Sequence, residues 1–201
     1  MGHGPPEATY NIKLAADPDT LHSTVRHKSL LMLDAFLICL AYLTDGVLYT
    51  VLELTCEVSA HRFPPLPAEP TLLATAPTMS KFPGGPSELV MLPAEIFVPP
   101  PNSAYPTPYL YVSNRNDPSP EGDVITIFAI ADSAKLENAA EVRSGLNHLR
   151  GMVFGGEDNK YLIAGGALGG GVKVFLRTDG GKGLKEVASL DLKAPTAFLW
   201  A

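Results

Sequence analysis

A glutamate inside an apolar run and an arginine closing another are the residues of this chain best suited to chemistry. Glu53 stands in Val51-Leu52-Glu53-Leu54, and Arg115 ends Tyr109-Leu110-Tyr111-Val112-Ser113-Asn114-Arg115. Taking an unpaired charge out of water is costly, so a charge among apolar neighbours calls for a partner or a purpose. An arginine binds a planar carboxylate through two parallel hydrogen bonds. A glutamate in apolar surroundings holds its proton longer and can serve as a general acid. The plainer reading makes Glu53 and Arg115 a paired or solvated couple on a rim. No other chemistry is legible. None of the five histidines stands in a nucleophile context. Gly165, Gly166, Gly169, Gly170 and Gly171 open no helix, so they read as a turn and not as a phosphate cradle. No metal-ligand cluster is visible.

Strands must position these two residues. Pro108 to Ile130 reads as two strands around a loop: Tyr109 to Ser113 and Val124 to Ile130 are β-branched and aromatic, while Asn114 to Asp123 carries Pro, Gly and acidic or amide residues. The unit recurs. Gly46 to Phe63 is strand, polar break, strand, and Lys160 to Arg177 is strand, Gly-rich turn, strand. The anchoring leucines Leu48, Leu110 and Leu162 stand 62 and 52 residues apart. Loosely periodic four-stranded units of this length point to an all-β fold built as a β-propeller, with an open meander or sandwich as the alternative.

Further strands are expected in Met91 to Val98, near Glu141-Val142, from Leu149 to Phe154 and from Lys185 to Leu192; another starts at Ala194 to Trp200. Pro64 to Thr78 reads as a Pro-rich surface loop, and so does Pro99 to Pro108. Leu30 to Leu43 is almost wholly apolar, broken only by Asp34, and its Leu and Ala content favours helix. It is too short to span a membrane, which takes about twenty such residues.

The stretches YLYVSNR…ITIFAI and HLRGMVFGGEDNKYLIAGG…GVKVFLRTDGGKGLKEVASLDL resemble the lactonase-type seven-bladed propellers. That family includes 6-phosphogluconolactonases of the propeller type and the fungal carboxy-cis,cis-muconate cyclases. YTVLELT…VSAHRFPPLP and PAEIFV are most similar to the cyclase-like branch. The resemblance covers most of Asp45 to Ala201. It implies a partial ring of about three blades of four-stranded antiparallel sheet over 45–201, after an irregular segment over 1–44. It also implies catalytic roles for Glu53 and Arg115, which match the family's channel glutamate and arginine, and substrate contacts from Arg26, Glu95 and Arg150, with a structural role for Glu95 and a packing or rim role for Arg150 as the alternatives. The family's channel histidine belongs to an upstream blade and has no match here. An Arg-His pair precedes the glutamate by sixteen residues in the family; Arg26-His27 precedes Glu53 by 27. The excess coincides with the apolar run, which reads as an insertion or a translated intron. The implied activity is lactonising closure of a muconate-type acid. Hydrolysis of a sugar lactone and a non-catalytic binding scaffold are the alternatives. No cofactor is implied.

Composition sets the remaining bounds. The chain has 201 residues, and a seven-bladed ring needs more than about 300. A fragment of a longer protein is therefore expected, with self-association through unclosed propeller edges as a consequence. Net charge is −6 and the basic residues are scattered, so neither nucleic acid nor a membrane is an expected partner; a small carboxylate or lactone is. Cys39 and Cys56 make no disulfide framework, which suits a reducing, cytoplasmic setting. Nineteen Pro and eighteen Gly with 46% hydrophobic residues describe a turn-rich folded chain.

Overall fold

The computed structural model describes residues 38–44, 46–65, 67–81, 91–130, 132 and 135–200. Twelve strands form three four-stranded antiparallel sheets, each a meander in chain order. Sheet one holds β1 (Ile38–Thr44), β2 (Val47–Leu52), β3 (Glu57–Arg62) and β4 (Thr71–Pro77). Sheet two holds β5 (Leu92–Phe97), β6 (Tyr109–Arg115), β7 (Val124–Ala129) and β8 (Glu137–Arg143). Sheet three holds β9 (Asn147–Gly155), β10 (Tyr161–Gly169), β11 (Gly171–Thr178) and β12 (Gly183–Leu190). The first strands β1, β5 and β9 lie beside one another, which puts them on the inside of the arc, as blades of a propeller require. Leu48, Leu110 and Leu162 each occupy the second position of a second strand and are buried.

The cores lie between sheets. Val47, Tyr49, Val51, Val58 and Ala60 of sheet one pack against Ile96, Leu110, Val112 and Phe128 of sheet two. Tyr111, Ile125 and Ile127 on the other face pack against Leu149, Met152, Leu162 and Phe175 of sheet three. Sheet two is buried on both faces, so β6 and β7 are continuous apolar runs instead of alternating ones. The outer strands β8 and β12 are largely exposed and carry the charges. Arg177 of β11 reinforces the second seam. Its guanidinium stacks 3.9 Å from the Tyr105 ring centroid and donates to Tyr111 Oη at 3.1 Å, and the Tyr111 hydroxyl donates to the Gly181 carbonyl.

The structure redraws several expected elements. Thr71–Pro77, expected as surface loop, is the outer strand β4: Thr71-Leu72-Leu73-Ala74-Thr75 pairs along β3, which overrides the prolines on either side. The helix expected near 30–43 is strand where it is described, because Ile38–Thr44 finds a partner in β2. Residues 30–37 lie outside the described part. That strand precedes residue 45, so sheet one takes in residues from before the expected boundary. Gly165 and Gly166 are strand and not turn; the reversal is confined to the Gly169-Gly170 region. Residues 194–200 are not strand; they lie across β9 and β10, where Gly151, Gly155 and Gly165 leave room for Thr196, Trp200 and Phe198. Among the described residues no helix is long and apolar enough to cross a membrane.

Candidate functional site

Glu53 and Arg115 occupy equivalent places. Glu53 is the first residue past β2 and Arg115 the last of β6, so the blade repeat brings them to the same end of neighbouring sheets. There they form an ion pair, Arg115 Nη2 to Glu53 Oε1, with side chains only 7% and 14% exposed. Arg115 Nε also donates to the Leu92 carbonyl at 3.3 Å, tying the guanidinium to β5, where Leu92 is its register partner. The paired couple read from the sequence is thus formed. Glu53, however, lies in the β2–β3 turn and not within the strand.

Glu95 and Arg150 join the same group. Glu95 sits half-buried on β5, its N–H donating to Ser113 Oγ at 2.9 Å. Burial pushes its carboxyl up to about 7, against the opposing pull of the Arg115 and Arg150 charges. Arg150 is exposed on β9, at a bulge where Leu149 and Gly151 pair with the adjacent residues Gly166 and Gly165. Four of the five residues expected from sequence thus fall in one electrostatically linked cluster drawn from three neighbouring sheets. Arg26, the fifth, lies outside the described residues.

Sequence reasoning missed His148 and Asn116. Asn116 follows Arg115 directly, and His148 stands at the start of β9, two residues before Arg150. Their side chains meet, His148 Nδ1 to Asn116 Oδ1, at 2.7 Å. Both backbones are left-handed, with φ of 58° and 66°. Asn and His are among the residues enriched in that region, which is the one local signal available. Burial lowers the imidazole pKa, and the charges of Arg115 and Arg150 lower it further, with Asp123 opposing.

Asp123 holds the frame behind this pair. Its carboxylate accepts from the Asp117 N–H at 2.8 Å and the Leu149 N–H at 2.6 Å, joining the β6–β7 loop to the start of β9. Arg143 closes the loop from outside through its ion pair with Asp117. Gly122 is required here: it has φ +79°, and a Cβ would come within 2.7 Å of the Leu146 backbone. Among the described residues no three His, Cys, Asp or Glu side chains converge as a metal site would need.

The arrangement combines two arginines suited to anions, a carboxyl that titrates near neutrality and an imidazole whose neutral form burial favours. Such a set can bind a carboxylate or polarise a carbonyl, and can exchange protons with what it binds.

Comparison with known proteins agrees on the architecture. The family model described as lactonase, seven-bladed β-propeller, matches residues 39–200. No curated protein matches the sequence. Among solved structures, a candidate 6-phosphogluconolactonase from Bacteroides uniformis aligns over 77% of this chain and 41% of its own, at 22% identity and a TM-score of 0.58. A Lactobacillus plantarum protein aligns over 76% of this chain and 40% of its own, at 13% identity and a TM-score of 0.60. The Pseudomonas aeruginosa periplasmic gluconolactonase aligns over 75% and 38%, at 17% identity and a TM-score of 0.58. The chain spans about two fifths of the length of these proteins, and at such identities the likeness is one of fold.

Proposed function

The chain belongs to the lactonase family of seven-bladed β-propellers, and from that premise we propose that its inner cluster binds a small lactone and opens the ring by hydrolysis. The observation that carries this reading is the half-buried Glu95 carboxyl on β5, which burial raises to about 7 against the opposing pull of the Arg115 and Arg150 charges. Arg115, fixed by Glu53 and the Leu92 carbonyl, is placed to polarise a lactone carbonyl and to stabilise the oxyanion that forms when water adds. Glu95, protonated in part at neutral pH, supplies a proton to the ring oxygen as the C–O bond breaks. Arg150, exposed on β9 with its charge acting on Glu95, suits a phosphate or carboxylate elsewhere on the substrate.

A second reading rests on the same carboxyl. Closure of an unsaturated polycarboxylic acid adds a carboxylate across a double bond and needs an acid to protonate the adjacent carbon, with arginines on the remaining carboxylates. Glu95 and the two arginines suit that step as well, and the sequence resembles the muconate cyclases. The two reactions separate in one experiment. Acid release from δ-gluconolactone and 6-phosphogluconolactone is followed beside loss of diene absorbance from 3-carboxymuconate. Acid release that disappears in Glu95→Gln supports the hydrolase. Loss of diene absorbance alone transfers the proposal to the cyclase, and no turnover of either kind makes the cluster a binding surface.

A further inference from the structure

We propose that His148, oriented by Asn116, is the general base that takes a proton from the attacking water; the inference rests on the hydrolase reading and deepens it. An amide oxygen only accepts, so Asn116 Oδ1 fixes the proton on His148 Nδ1 and leaves the lone pair on Nε2. One residue lies in the β6–β7 loop and the other on β9, 32 positions apart, and each adopts a left-handed backbone. Such conformations carry a cost and persist where the surrounding structure enforces them. Here the enforcement is visible: Asp123 accepts from the amides of Asp117 and Leu149, the residues directly following Asn116 and His148.

Three charges act on the ring. Arg115 comes from β6, Asp123 from the β6–β7 loop and Arg150 from β9 itself, while Glu95 stands on β5, the adjacent inner strand. The arginines favour the neutral imidazole, which is the form a base needs. Nε2 accepts a proton from water as the water oxygen bonds to the lactone carbonyl carbon. The tetrahedral oxyanion then collapses, the ring C–O bond breaks, and the alkoxide takes the Glu95 proton. The imidazolium returns its proton to the Glu95 carboxylate through solvent, leaving a hydroxy acid. With the base titrating below the acid, kcat/KM follows a bell whose acid limb belongs to His148 and whose alkaline limb belongs to Glu95.

The test compares the full chain with His148→Asn and Asn116→Asp on δ-gluconolactone, over about pH 5 to 9. Asn tolerates the left-handed backbone and places an N–H near the position of Nδ1, so the contact with residue 116 survives while the base is lost. The expected result is a kcat loss on the order of 10²- to 10⁴-fold with KM little changed, and disappearance of the acid limb. Asn116→Asp puts a carboxylate beside Nδ1 and should move that limb upward by about one pH unit. Imidazole NMR of the wild-type chain should show the proton on Nδ1 and a titration that coincides with the limb. Hydrolysis by the wild type with an unchanged acid limb in His148→Asn would overturn the role of His148 and leave the hydrolase reading standing, as would a proton found on Nε2. Absence of any lactone hydrolysis by the wild type removes both.

Discussion

At the scale of single residues the cluster trades stability for reactivity, and two substitutions expose the trade. Glu53 and Arg115 are each largely buried, so deleting one removes a charge-assisted hydrogen bond from the other in a poorly solvated place. Arg115→Ala should destabilise the chain by about 2–4 kcal/mol in denaturant unfolding, more than the double variant Glu53→Gln/Arg115→Ala costs beyond Glu53→Gln alone. Strict additivity of the two would mean that the pair is a solvated contact. Glu95 behaves in the opposite sense. Its folded carboxyl keeps a proton up to about 7, whereas the unfolded one releases it near 4.5. The folded state therefore binds more protons in that window, and this group lowers stability progressively as pH rises through it. Glu95→Gln should stabilise the chain by about 1–2 kcal/mol at pH 8, once solvent screening is allowed for, and by almost nothing at pH 4.5. A gain independent of pH would place the carboxyl in water. Of the six clustered residues, Glu53 and Arg115 stand out in the sequence as charges within or closing apolar runs, while Glu95 and Arg150 are marked only by resemblance to family motifs. His148 and Asn116 went unread because their contact depends on two left-handed residues 32 positions apart, one in a loop and one on β9, which no local pattern announces.

Elements were legible where composition alone settles them. β6 and β7 are rich in β-branched and aromatic residues and are buried on both faces, so their strand character is plain in the chain. β1 and β4 were not legible, since ICLAYLT and TLLATAP hold Leu, Ala and Pro, whose preferences give way once a neighbouring strand supplies hydrogen-bond partners. The last stretch, 194–200, shows the reverse: its apolar residues suggest a strand, yet they rest on a path of glycines across sheet three. Gly155 lies so close to the Trp200 indole that a Cβ there would overlap it. Trp200 is the chain's one tryptophan, which makes the contact easy to follow. Gly155→Ala should shift tryptophan emission to the red and roughly double its quenching by acrylamide, with a stability change below about 1 kcal/mol, because the displaced ring is already part-exposed. Unchanged emission would mean that the indole does not rest on this glycine.

The molecule as a whole is a series of sheets joined by two apolar seams, and each seam carries one half of the proposed site. The first packs sheet one on sheet two and sets Glu53 against Arg115; the second packs sheet two on sheet three and sets Asn116 against His148. Neighbour-only packing of this kind makes stability a sum of local interfaces more than a single global quantity. Leu110 lies in the first seam and Leu162 in the second, both fully buried. Replacing either by alanine should cost about 2–5 kcal/mol, the usual range for emptying a packed leucine site. The consequences for the site should differ. Leu110→Ala should weaken the coupling between Glu53 and Arg115 in a double-mutant cycle while the His148 Nδ1 proton stays protected in NMR exchange. Leu162→Ala should expose that proton and leave the ion pair coupled. Were each substitution to loosen both contacts equally, the three sheets would move as one body. The base and the arginine could not then be tuned separately, and a cavity in either seam would act on the whole of the proposed chemistry.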